Sequence, residues 1–303
     1  MSARLDRLTL LQTFSRIVER GSISAAARDL GMSQASASRQ LAQLEDRVGV
    51  PLLVRNTHAL ALTEPGRLVL DGARDLLMGW DDLLDRVRGE DGPLRGAIKV
   101  VAPVALGQLF LTRAMLAFQL EHPELDITWV LDDAELRFSE VGCDLWIRIG
   151  QPADDTLIAI TEGRVERMIV AAPSLLEGKT LNVPGDLAAL PALALSPFEG
   201  EDIPLRSERD TFRLSADAVM ATNNIFALYQ AALQGVGYAV LPRWMVAKDL
   251  ASGTLVDVLP GWRAPELDVT LCYTPASRTS RRLVAFREAM AAAVTKIEGI
   301  GPV

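Results

Sequence analysis

The sequence predicts an α/β protein with a winged helix-turn-helix head, a linker helix and a two-lobed C-terminal body. Three observations carry this. Residues Gly21 to Arg55 read as a short Ala-rich helix, a glycine turn and a second helix with a polar outer face. From Val69 to Val87, apolar residues recur at alternating four- and three-residue steps. From Gly96 onward, apolar β-rich runs alternate with amphipathic stretches, the pattern of helices packed on a largely parallel sheet.

At 303 residues the chain is long for one core. Hydrophobic residues make up 49% and aromatic residues only 5%, so the cores are aliphatic. No uncharged apolar run approaches the length of a membrane-spanning helix. The N-terminal stretch MSARLDRLTLLQTFSRIVERG interrupts its apolar positions with charge, unlike a signal peptide, so a cytoplasmic location is expected. The net charge of −8 disfavours nonspecific affinity for polyanions. Its distribution is uneven: residues 1–66 hold eight Arg against six acids, and the rest of the chain is acidic. Cys143 and Cys272 sit inside apolar runs, where a thiol behaves as a small hydrophobe. His58 and His122 have no metal-ligand partners at useful spacing, so no zinc site is expected.

The first helix is expected from about Leu5 to Glu19, with Leu8, Leu11, Phe14, Ile17 and Val18 as its apolar stripe. Gly21 ends it, and Ser22 or Ser24 caps a second helix of small residues, Ala25 to Leu30. Gly31 supplies a left-handed turn. Ser33 then caps a third helix reaching about Val48. At 100° per residue, Ala37, Leu41, Leu44 and Val48 face inward, while Ala35, Ser36, Ser38, Arg39, Ala42 and Gln43 face out. A purely solvated face would favour Glu and Lys. Small hydrogen-bonding groups plus Arg suit a helix seated in the major groove. The alternative is a three-helix domain that touches no DNA.

Two apolar runs, Pro51 to Arg55 and Ala59 to Thr63, flank a polar turn at Asn56-Thr57-His58 and read as a hairpin in the position of a wing. Arg55 and Thr57 would meet phosphates or the minor groove. Thr63 opens the long helix, and Val69, Ala73, Leu76, Trp80, Leu83 and Val87 form a coiled-coil seam for a second copy of the chain. Packing on its own domain is the alternative. Gly89 to Pro93 reads as a hinge. Beyond it, strands are expected at Ala97–Ala102, Leu125–Leu131, Leu145–Ile149, Arg167–Ala172, Ala192–Leu195, Tyr238–Pro242 and Val269–Tyr273, with helices at Leu109–Glu121, Ile225–Gln234 and Ser280–Glu298.

Taken together, the head motif, the terminal LTEPG, and the ordered blocks IKVVAPVALGQLFL, AFQLEHPELDI, GCDLWIRIG, ALYQAALQGVGYAVLPRWMV and SGTLVDVLPGW resemble the LysR-type transcriptional regulators over nearly the whole chain. The resemblance implies a DNA-binding domain at 1–63 and a dimerising linker helix at 64–92. It also implies a periplasmic-binding-protein-like (type 2) effector domain at 93–303, with lobe I about 93–166 and 272–303 and lobe II about 167–271. It further implies promoter binding as a dimer or dimer of dimers, a small-molecule effector in the cleft, and RNA polymerase as a further partner. By motif, Gln34, Ser36, Ser38 and Arg39 fall where the family contacts DNA, and Arg55 falls in its wing. His58 and Ala59 replace two basic residues common in the wing, which lowers the phosphate contribution. A protonated His58 beside a phosphate would tighten binding at mildly acid pH.

Ligands of such a body sit at strand C-termini and helix N-termini. The candidate effector residues are therefore Pro103, Val104, Ala105, Leu106, Gln108, Asp132, Arg148, Ser196, Phe198, Thr222, Asn223 and Asn224. Arg148 would pair with an anionic ligand or with Asp132, and Asn223 and Asn224 serve equally well as helix caps. Gln108 and Asp132 stand where relatives often carry hydroxyls, which weighs against a carboxylate effector. Two other functional classes compete. An enzyme is disfavoured by the absence of nucleophile elbow, Walker loop or zinc motif. Gly235-Val236-Gly237 also lacks the third glycine of a dinucleotide fingerprint, so no cofactor is expected. An exported solute-binding protein would need the signal peptide that is missing.

Overall fold

The computed structural model describes residues 6–56, 59–88, 92–134, 138, 142–196, 202–215 and 217–303. The head opens with α1 (Arg7–Arg20), α2 (Ile23–Asp29) and α3 (Gln34–Val48), followed by the hairpin β1 (Leu53–Asn56) and β2 (Ala59–Leu62). Local chemistry sets the helix ends. Ser22 Oγ accepts from Ala25 N and Ser33 Oγ accepts from Ser36 N, each satisfying a donor of a first turn. Gly31 and Gly49 follow in the left-handed region, at φ 64° and 83°. Leu10, Phe14, Ile17, Ala26, Ala37, Leu41, Leu44, Leu52 and Leu70 form one buried core. The stripe of α1 is thus centred on Leu10, with Leu11 and Val18 at its edge. Val48, expected inward, is 42% exposed because the helix closes at Gly49 beyond the reach of this core.

The long helix α4 (Glu64–Arg88) starts against the hairpin. Thr63 Oγ1 accepts from Gly66 N at 2.9 Å and donates toward the Pro51 carbonyl at 2.8 Å. Gly66 lies so close to the hairpin that a Cβ there would sit 2.0 Å from the Leu52 carbonyl oxygen. Wing and linker are therefore one packed unit.

The body begins with β3 (Gly96–Ala102), a short helical turn Val104–Leu106, a π turn Gly107–Leu111 and α5 (Thr112–Glu121). Then come β4 (Leu125–Leu131), β5 (Leu145–Ile149), the long β6 (Ile158–Ala171) and β7 (Ala192–Leu195). The hairpin β8 (Ile203–Arg206) and β9 (Thr211–Leu214) leads to β10 (Ala218–Thr222), α6 (Ile225–Leu233), β11 (Ala239–Pro242) and α7 (Arg243–Ser252). The chain ends with β12 (Val256–Asp257), β13 (Ala264–Tyr273), α8 (Arg281–Val294) and β14 (Ile300–Gly301).

The main sheet runs β11-β6-β13-β5-β3-β4. Among the described residues of this sheet only β4, β3 and β5 are parallel, and β13, β6 and β11 pair antiparallel, which corrects the expectation of a largely parallel sheet. Strands β7 and β10 pair parallel in a separate two-stranded sheet. Strands β6 and β13 are longer than their apolar runs and pass from one lobe to the other. The expected lobe limits at 166/167 and 271/272 therefore fall inside strands. The first lobe buries Ile98, Val100, Leu145, Leu271 and Phe286 between sheet and helices. In the second, Ile169 and Ala171 face one core while Met168 and Val170 face another. That alternation is what a strand covered on both sides requires.

Candidate nucleic-acid interface and ligand cleft

Helix α3 presents the surface its sequence promised. Gln34, Ala35 and Arg39 are exposed, and Ser36, Ser38 and Gln43 are half-buried at the edges of the same face. Ser36 is partly engaged, sharing a 2.9 Å hydroxyl hydrogen bond with the cap Ser33. Among the described residues Arg39 makes no hydrogen bond or ion pair, so its five donors remain available. The opposite face is locked to α1 by a buried hydrogen bond from Thr13 Oγ1 to Gln40 Oε1. Glu45 turns its carboxylate to the hairpin, accepting from Leu52 N at 2.8 Å and Leu53 N at 3.3 Å. A carboxylate near the end of α3 is thereby used to hold the hairpin.

In the hairpin, Leu53 pairs with Leu62 and Arg55 with Leu60. Thr57 and His58 lie outside the described residues.

The expected seam of α4 divides in two. Val69 packs against the head core and Ala73 is buried within the protomer, so these two belong to the chain's own interior and not to a partner contact. They sit on the turns that dock against the hairpin and α1. Further along, Leu76 is 59% exposed, Trp80 45%, Leu83 44% and Val87 78%. Their spacing of four, three and four keeps them on one line. The other side of α4 touches the body: Thr274 Oγ1 lies 3.5 Å from an Asp75 carboxylate oxygen, and Arg282 pairs with Asp81 at 3.3 Å. The linker helix thus contacts both head and body.

Between the lobes lies a cavity of about 400 Å³. Of the expected residues, Pro103, Ala105, Leu106, Asp132, Arg148, Ser196 and Asn223 line it. Val104, Gln108, Thr222 and Asn224 do not, and Phe198 lies outside the described residues. The reasons are local. Val104 offers its amide to Asp133 at 2.9 Å, and Gln108 is exposed on the π turn. Asn224 caps α6 through Phe226 N and Ala227 N, and Thr222 Oγ1 accepts from Asn224 N. Arg148 lays its guanidinium 4.6 Å from the centroid of the Trp146 ring. Asp132 accepts from Ala134 N at 2.9 Å.

The sequence reading missed Arg167 and Tyr238, which also line the cavity. Burial pulls the Arg167 guanidinium down to about 10, so it stays cationic near neutral pH, and pushes the Tyr238 phenol up to about 12. The missed signal was a lone cation at the head of an apolar strand run, Arg167-Met168-Ile169-Val170-Ala171. Burial likewise pushes the thiols of Cys143 and Cys272 up to about 12 and about 11, so neither is a thiolate near neutral pH. Among the described residues, no helix is long and apolar enough to cross a membrane.

Residues 8–67 match the family described as bacterial regulatory helix-turn-helix protein, lysR family, and residues 91–295 match the LysR substrate binding domain. The regulator PtxR of Pseudomonas aeruginosa is 32% identical over 300 residues, covering 96% of this chain and 95% of that one. DmlR of Escherichia coli is 28% identical over 286 residues, covering 92% of each. Among solved structures, the full-length virulence activator AphB of Vibrio cholerae superposes with a TM-score of 0.60 at 23% identity, over 95% of this chain and 99% of that one. Full-length LysG of Corynebacterium glutamicum, solved with bound effector Arg, gives 0.66 at 18%, over 98% and 100%.

Proposed function

Because this chain belongs to the LysR family of transcriptional regulators, we propose that it reads promoter DNA with the α3 face of two paired heads and resets their geometry through the cleft. It is a DNA-binding regulator with an effector-binding domain, not an enzyme. The observation that carries the finer reading is the exposed Gln34, Ala35 and Arg39 face, with Ser38 half-buried at its edge, opposite a face locked into the head core. Arg and Gln reach base edges, while small neighbours let the helix approach. Wing residues Arg55, Thr57 and His58 would add backbone contacts.

Leu76, Trp80, Leu83 and Val87 form the seam that brings the second head, and further contacts make a dimer or dimer of dimers. The domain limits follow the helix: head to 63, linker 64–92, body 93–303. The effector occupies the cavity between Pro103, Asp132, Arg148 and Asn223, and α4 carries the change to the heads. The protein works in the cytoplasm, where promoter DNA and RNA polymerase, its further partner, are found.

The test is binding of the full chain to its own promoter region and to scrambled DNA at about 50 and 200 mM salt. Promoter binding should persist at the higher salt while scrambled DNA dissociates, and Arg39→Ala should weaken only the former. Equal retention of both DNAs would sink the reading.

A further inference from the structure

The cleft contains hydrogen-bond donors that the protein itself leaves unused. Tyr238 is 3% exposed, and its hydroxyl is buried without a hydrogen-bond partner. The indole Nε1 of Trp244, another lining residue, is also buried and unpartnered. Arg167 donates Nε–H to the Pro265 carbonyl at 2.7 Å. Among the described residues that is its only hydrogen bond, and no carboxylate lies within ion-pair distance.

Strand register puts Arg167 and Tyr238 on one wall. Pro242 stands opposite Arg167 and Val240 opposite Ile169, so the alternation that continues to Tyr238 gives it the same face. A partly buried cation without a counter-charge is costly, and an anion from outside offsets that cost. The two acids at the cleft, Asp132 and Asp133, are each occupied by a backbone amide, of Ala134 and Val104 respectively. The remaining wall is apolar, with Leu193, Leu214 and Leu228 among its members.

Taking the cleft as the effector site, as above, we propose that it binds an organic anion with a compact apolar body, its charged group on Arg167 and a second acceptor on Tyr238. The cavity of about 400 Å³ admits a single small molecule of this kind. Asp132 also lines the cavity as a carboxylate, with one oxygen held by the Ala134 amide, so the ligand's anionic group is assigned to the Arg167 wall.

The probes are anilinonaphthalene sulfonate and its uncharged counterpart phenylnaphthylamine, which share an apolar body and differ in the anion. Fluorescence titration of the full chain should show the sulfonate binding at least roughly tenfold tighter, the scale of one charge-assisted hydrogen bond. Arg167→Met should abolish that preference and leave the neutral dye unchanged. Ala194→Trp, which fills the cavity, should remove both signals.

Equal affinities in the parent protein overturn the anion assignment while the cleft reading stands, and this needs no variant to fold. A preference that survives Arg167→Met overturns the assignment in the same way. Absence of binding by either dye, or binding that survives Ala194→Trp, overturns the cleft reading and the proposal with it.

Discussion

Replacing Leu83 by Glu should dissociate the paired heads without unfolding a protomer. Leu83 is 44% exposed in the protomer, so the new carboxylate meets water and the fold loses little. In the dimer it would face the seam formed with Leu76, Trp80 and Val87. Fully burying such a side chain is worth about 1.5–3 kcal/mol, so the exposed part of each contributes about 1 kcal/mol per copy. Four residues on two copies thus supply about 8 kcal/mol gross, near the lower range of the cost of association. A seam so finely balanced needs help from other surfaces and tolerates little damage. Leu83→Glu removes about 2 kcal/mol of burial across two copies and sets two like charges together at several kcal/mol more. The dimer dissociation constant should rise by about a thousandfold or more. Sedimentation equilibrium measures it, with Leu68→Glu as the control, since Leu68 is exposed on α4 but off the line of the seam. An unchanged dissociation constant for Leu83→Glu would refute the assignment of the seam.

Thr13→Val should leave Gln40 buried with an unmet acceptor and cost about 1–3 kcal/mol, read as a lower urea midpoint at unchanged slope. Gly66→Ala drives a Cβ into the Leu52 carbonyl and should destabilise the head by about 1–3 kcal/mol or more, with weakened promoter binding from a displaced wing. Asp144 is buried beside Arg282 and Arg74, and burial raises its carboxyl above the ordinary 3.8 despite those cations and the Lys99 amide. A raised folded value means the protonated form is favoured by folding. Stability from this group is therefore fully present below 3.8 and declines as pH rises through the folded value. On acidification through that window the parent should gain thermal stability relative to Asp144→Asn, and a relative loss would show that the cations outweigh burial.

Helix boundaries in the head were legible because caps are local chemistry: Ser33 and Thr63 each satisfy an amide three residues on, and Gly31 and Gly49 supply the left-handed turns. The crossing strand β6 was only half legible. Its first part alternates Glu162, Arg164 and Glu166 with Thr161, Gly163 and Val165, a period of two hidden by charge. Those charges find partners far away in sequence, Arg164 with Asp268 and Glu166 with Arg243 and Arg263. The seam of α4 had the right period, yet period alone does not say where a helix stops docking on its own head. Gly66 and the hairpin decide that Val69 and Ala73 turn inward. In the cleft, strand-end logic found Pro103, Asp132 and Arg148. Arg167 and Tyr238 escaped it because only the register between β6 and β11 brings them to one wall.

The central claim is that two weak heads, joined by α4, read DNA together. Its most direct measurement compares the affinity of the full chain for promoter DNA carrying two half-sites with the same DNA in which one half-site is scrambled. Paired recognition predicts a loss of at least roughly a hundredfold, with Leu83→Glu binding both DNAs as weakly as the parent binds the single site. Equal affinity of the parent for both DNAs would contradict the account.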